Sequence, residues 1–162
     1  MGSFNGLIKA EFTPPKTWAL SRELSFRTEA LSKEEIELLQ LVGANCSTSG
    51  EIFVKEGFHT DLASVPRVLW ALISPWDVAR SAIIHDHLYA CCRDYFSSKE
   101  FDQTQWKKIR KVADKVFMLA MNAAEPPVPQ WKKKSAYLAV RAFGGKAASL
   151  KQEGMKEDGN QI

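Results

Sequence analysis

A chain of 162 residues, 45% hydrophobic and 25% charged, has the size and composition of one ordinary soluble domain. Its 22 Lys+Arg against 19 Asp+Glu leave a net charge of +3, too mild to imply nucleic acid, and no nucleic-acid partner is expected. No apolar run reaches membrane-spanning length, the opening residues lack the basic start and apolar stretch of a signal peptide, and three cysteines without a CxxC spacing support neither a zinc site nor a redox motif, only reduced thiols.

The N-terminal third has the period of strands. Residues 6–12, GLIKAEF, set Leu7, Lys9 and Glu11 opposite Ile8, Ala10 and Phe12. After the TPPKT break, WALSRELSFRT (18–28) alternates again. SKEEIELLQLVG (32–43) places Ser32 three residues before Glu35 and stops on Gly43, which predicts a capped helix of about three turns. A strand is expected near 51–55, a turn at Gly57, and then a loop, FHTDLASVP.

From Pro66 the pattern is helical. PRVLWALI (66–73) fits a short helix with Pro in its first turn. Residues 77–95 form the next, opened by SPWD, and 101–124 a long amphipathic one that EPPVP (125–129) stops. QWKKKSAYLAVRAFGG (130–145) is the last, with Gly144–Gly145 as its expected C-cap. The fold class is therefore α+β, one domain over 1–150. A small N-terminal antiparallel β-sheet (β-rich 1–60) precedes a helical subdomain of about four helices (66–145), and a polar flexible tail covers 151–162.

Chemistry concentrates in SAIIHDHLYACCRDYF (81–96), an apolar helix with a His–Asp pair at its centre. At about 100° per residue, Tyr89 falls within roughly 40° of His85 on a mostly apolar face, and Asp86 points to its side. Asp114 falls at the edge of the buried stripe of its own helix. A carboxylate and an imidazole buried without partners would each cost several kcal/mol, so His85 and Asp114 are expected to pair. Asp114 would fix the His85 tautomer and leave the other ring nitrogen as a base. Asp86 would face the loop that carries Asp61. Two carboxylates brought together require a proton or a cation between them, and oxygen ligands suit a hard ion such as Ca²⁺ or Mg²⁺ over zinc. The plainer alternative is a structural His–Asp bond, with Asp61 capping a turn.

Two resemblances bear on these residues. GFHTDLASVPR, AIIHDHLY, ADKVFMLAM and AVRAFG resemble the signature blocks of a family of phage and prophage proteins known only as a domain of unknown function. That resemblance spans about 6–145. It implies a phage or prophage origin, a location in the infected host's cytoplasm or in the virion, other virion proteins as partners, and no activity by itself. HDHLY (85–89), followed by a helix carrying Asp114, is similar to the core of phospholipase A2, especially its small prokaryotic forms. That resemblance implies His85 as base, Asp114 as its orienter, and Tyr89 bonded into the pair. It also implies Asp86, Asp61 and the Leu62 carbonyl as Ca²⁺ ligands, and ester hydrolysis at a phospholipid membrane surface.

For membrane contact the sequence offers Trp106, Lys107 and Lys108, and Trp131, Lys132 and Lys133, aromatics beside cations. Their plainer reading is a solvated lysine face beside core tryptophans. Two other classes stand against the hydrolase. One is a non-enzymatic virion component or accessory protein with a structural His–Asp clasp. The other is a metal-dependent phosphohydrolase with His59 approaching from the loop; His87, about 200° round the helix from His85, would not share its ion.

Overall fold

The computed structural model describes residues 2–14, 17–60, 78–97, 102–125 and 127–149. The expected short helix at 66–73 and the tail from 151 lie outside them. Among the described residues, small antiparallel sheets with one helix between their strands are followed by three longer helices, the α+β class that the sequence predicts.

The strands form two three-stranded sheets. In the first, β1 (Ser3–Phe4) pairs with β4 (Leu24–Arg27), and β4 with β5 (Glu51–Val54). In the second, β2 (Ala10–Thr13) pairs with β3 (Thr17–Leu20), and β3 with β6 (His59–Thr60). The run at 18–28 is therefore two strands in two sheets. Leu20, Leu24 and Phe26 are buried on either side of a bend, Ser21–Glu23, whose three residues are all exposed. Arg22 marks that bend by donating to the Leu7 carbonyl at 2.9 Å. The turn before β5 needs Gly50: its φ is +80°, and a Cβ there would run into the Thr28 carbonyl oxygen.

α1 (Lys33–Leu41) starts as the sequence predicts. Ser32 Oγ accepts from the Glu35 N–H at 3.2 Å, and the Glu35 carboxylate accepts from the Ser32 N–H at 2.8 Å. Glu35 also takes Lys115 Nζ at 2.7 Å, tying α1 to the helical half. α2 (Ala79–Ser97) lies against β4 and β5, and α3 (Gln103–Asn122) and α4 (Gln130–Ser149) lie against α2 and each other. Asp102 caps α3 by accepting from the Thr104 and Gln105 N–H groups. Phe26, Ile52, Ile84, Leu88, Ile109 and Phe117 fill one continuous core between sheet and helices. No helix of the described residues is long and apolar enough to cross a membrane.

α4 corrects one expectation. It runs through Gly144–Gly145 to Ser149 rather than ending there. The two glycines answer to close packing against Tyr89 and Arg110, not to a cap.

Candidate active site

His85, on α2, and Asp114, on α3, are 1% and 0% exposed. His85 Nε2 lies 3.0 Å from Asp114 Oδ1, and Tyr89 Oη donates to the same oxygen at 2.7 Å. One turn of α2 separates His85 from Tyr89, which brings their rings together at 4.0 Å between centroids, tilted by 45°. Phe117 closes on His85 from α3, centroids 4.9 Å apart. The expected pairing of the imidazole with Asp114 and Tyr89 is thus in place, deeper in the protein than an edge-of-stripe position suggests.

Two arginines complete the cluster. Arg141 Nη1, from α4, donates to Asp114 Oδ2 at 2.7 Å. Arg110 Nε sits 3.8 Å from that oxygen, one turn before Asp114, and donates to Tyr89 Oη at 3.2 Å. Arg110 Nη2 reaches the Val140 and Arg141 carbonyls at 2.9 and 2.5 Å. Gly144 and Gly145 make room for these polar heads. A Cβ on Gly144 would stand 2.7 Å from Tyr89 Oη, and one on Gly145 3.2 Å from Arg110 Nη1. Each glycine costs a helix interior about 1 kcal/mol relative to alanine, a penalty offset by the Asp114 network it admits.

The electrostatics follow from burial and these partners. Burial drives the His85 imidazolium out; Asp114 pulls the other way and Arg110 adds to burial, and the net shift is below the ordinary histidine range. Burial pushes the Asp114 carboxyl up, but hydrogen bonds from His85, Tyr89 and Arg141 outweigh it and hold it below its usual range. Burial, then Asp114, raises the Tyr89 phenol, which stays a donor. At neutral pH the cluster is a neutral imidazole, an ionised carboxylate, a phenol and two guanidinium groups. An ionised Asp114 accepts only, so Nε2 of His85 carries the hydrogen.

Asp86 is half-buried on the flank of α2 and accepts from Thr60 Oγ1 at 2.5 Å. It does face the segment that leads into the loop. Asp61 follows Thr60 in the chain; Asp61 and Leu62 themselves lie outside the described residues. Ca²⁺ takes roughly six to eight oxygens. The described residues bring it one hard carboxylate, Asp86, with a hydroxyl beside it, and no group of three or more His, Cys, Asp or Glu converges among them. His59 is exposed on β6, and His87 packs edge-on against Phe58 at 5.6 Å, so the three histidines stand apart.

The aromatic–lysine pairs divide. Trp131 is 53% exposed with Lys132 Nζ 5.8 Å from its ring centroid, and Lys107 and Lys108 are exposed on α3. Trp106 is half-buried with Arg110 against its ring, on the same face of α3 as the buried Ile109 and Ala113. Lys133 is 6% exposed and donates to Asn122 Oδ1 at 3.0 Å, because it shares the face of Ala136 and Val140. These two side chains turn inward.

The chain belongs to the family described as "Protein of unknown function (DUF1353)", which matches residues 37–140. That span holds His85, Asp86, Tyr89, Arg110 and Asp114 and stops one residue before Arg141; it is narrower than the expected 6–145. No curated protein and no solved structure matches the chain.

Gly144→Ala should destabilise the protein by about 1–3 kcal/mol in urea unfolding, although alanine is the better helix former. Stabilisation would show that the glycine serves no packing purpose. A second expectation concerns pH. The folded pKa values of His85 and His87 are both lowered by burial, so the unfolded chain binds more protons below about pH 6.5. The stability they contribute is complete above that pH and is lost as pH falls through the folded values, at up to about 1.4 kcal/mol per pH unit for each proton. His85→Gln should remove one of the two contributions and flatten the profile below about pH 6.5; an unchanged profile would contradict the assignment.

Proposed function

We propose, from a chain of that family and this site, that the protein is a phospholipase A2-like ester hydrolase whose general base is His85. The observation that carries the reading is the shared Asp114 Oδ1, which takes both His85 Nε2 at 3.0 Å and Tyr89 Oη at 2.7 Å. In this reading a water is deprotonated at His85 Nδ1 as its oxygen attacks the ester carbonyl. Asp114 stabilises the imidazolium that forms. The carbonyl–alkoxy bond then breaks, and the proton passes from His85 to the leaving alkoxide, giving a fatty acid and a lysophospholipid. Asp86, with Asp61 and the Leu62 carbonyl, would hold Ca²⁺, which when bound polarises the ester carbonyl. Trp131 and Lys132, with Lys107 and Lys108, would meet an anionic membrane surface, each cation contributing on the order of 1 kcal/mol. The setting proposed with it is phage or prophage, in the host cytoplasm or the virion.

A second reading rests on burial. His85 at 1% exposure and an Asp114 bonded from both α2 and α4 suit a clasp that orders the helices in a non-enzymatic virion or accessory protein. One experiment separates the two. Fatty-acid release from anionic phospholipid vesicles should require Ca²⁺, stop with chelator, and fall by about 10²–10⁴-fold in His85→Ala that remains folded. No release by folded wild type, or equal release by the variant, would leave the clasp.

A further inference from the structure

Among the described residues β2 is the outer strand of its sheet, in the order β2-β3-β6, and its outer edge carries a recognition pattern. The Ser21 N–H donates to the Lys9 carbonyl at 2.8 Å, so Lys9 turns its backbone groups toward β3. In an antiparallel ladder the direction alternates. Glu11 therefore faces β3 too, while Ile8, Ala10 and Phe12 aim their N–H and C=O groups off the edge. Such a row is a template for another strand.

The side chains specify which strand. Lys9 and Glu11 are both exposed and stand on one face of the strand; Ile8, Ala10 and Phe12 stand on the other. We propose that the partner is a second copy of this chain, the two β2 strands pairing antiparallel about a two-fold axis at Ala10. In that register Ala10 meets the partner's Ala10, and Ile8 meets the partner's Phe12, at hydrogen-bonded positions. Lys9 meets the partner's Glu11, and the reverse, at the non-hydrogen-bonded positions where side chains come closest. Registers centred on Lys9 or on Glu11 would oppose like charges. The Ala10 axis is the antiparallel register that pairs each Lys9 with a Glu11.

The apolar face agrees with it. Phe12 is 53% exposed although its ring leans on Trp18, centroids 5.2 Å apart. On the same face Ile8, Ala10, Trp18 and Arg80 line a groove of about 300 Å³. The partner's Phe12, opposite Ile8, covers that groove, and the same contact is made in return. This reciprocity is what an isologous interface requires. Each copy contributes three strands to one continuous sheet, and both β2 edges disappear.

Sedimentation equilibrium of the full chain at low salt tests it. Wild type should be a dimer. Lys9→Glu and Glu11→Lys should each weaken association by at least about tenfold, since each opposes like charges. The double variant Lys9→Glu/Glu11→Lys should restore it, because the pairs reform with their signs exchanged. Circular dichroism would confirm that all variants fold; the substituted side chains are solvent-exposed. A monomeric wild type, single variants that dimerise as well as wild type, or a double variant that stays monomeric would each overturn the proposal.

Discussion

Asp114 is the constraint on which the helical half depends. A carboxylate removed from water loses several kcal/mol of hydration unless donors replace it. Here the donors come from the two neighbouring helices, His85 and Tyr89 on α2 and Arg141 on α4, with the Arg110 guanidinium of α3 itself 3.8 Å away. The His85, Tyr89 and Arg141 bonds each set a distance between helix axes. Tyr89 fits under α4 because residue 144 is glycine, and Arg110 reaches the Val140 and Arg141 carbonyls beside it. Moving one helix would leave an ionised group partly unpaired, which is more costly than losing an apolar contact.

The same arrangement sets the chemistry of His85. Burial keeps the imidazole neutral, and the carboxylate directs its hydrogen to Nε2. A neutral imidazole with a fixed tautomer is what a general base needs. It is also what a well-satisfied core histidine looks like. The distinction lies in substrate access past a side chain that is 1% exposed. The two readings therefore share one geometry and differ in whether it turns over.

Much of this was legible in the sequence, and the exceptions have physical reasons. Helical periodicity put His85 and Tyr89 on one apolar face, and the need to partner a buried imidazole pointed to Asp114 across the helix interface. The capping box of α1 was explicit in Ser32 and Glu35. Arg110 and Arg141 were missed as members of the cluster, because cations on amphipathic helices ordinarily face water, and angle gives direction without depth. Arg141 did stand inside AVRAFG, so the signal was there without its meaning. Gly144–Gly145 read as a stop because consecutive glycines usually end helices; only the position of the Tyr89 and Arg110 heads shows why they do not. The division of 18–28 between two sheets was hidden because Leu20, Leu24 and Phe26 keep one parity on both sides of the exposed Arg22. β6 was hidden because a two-residue strand has no period to detect.

The proposed chemistry of the site turns on the state of one imidazole. Nitrogen-15 NMR of His85 over a pH series would report both its tautomer and its titration. The account predicts a neutral ring at pH 7 with the hydrogen on Nε2, titrating below the ordinary range of about 6.5, and losing that tautomer preference in Asp114→Asn. A His85 that is charged at pH 7, or that carries its hydrogen on Nδ1, would contradict it and remove the base from the proposed mechanism.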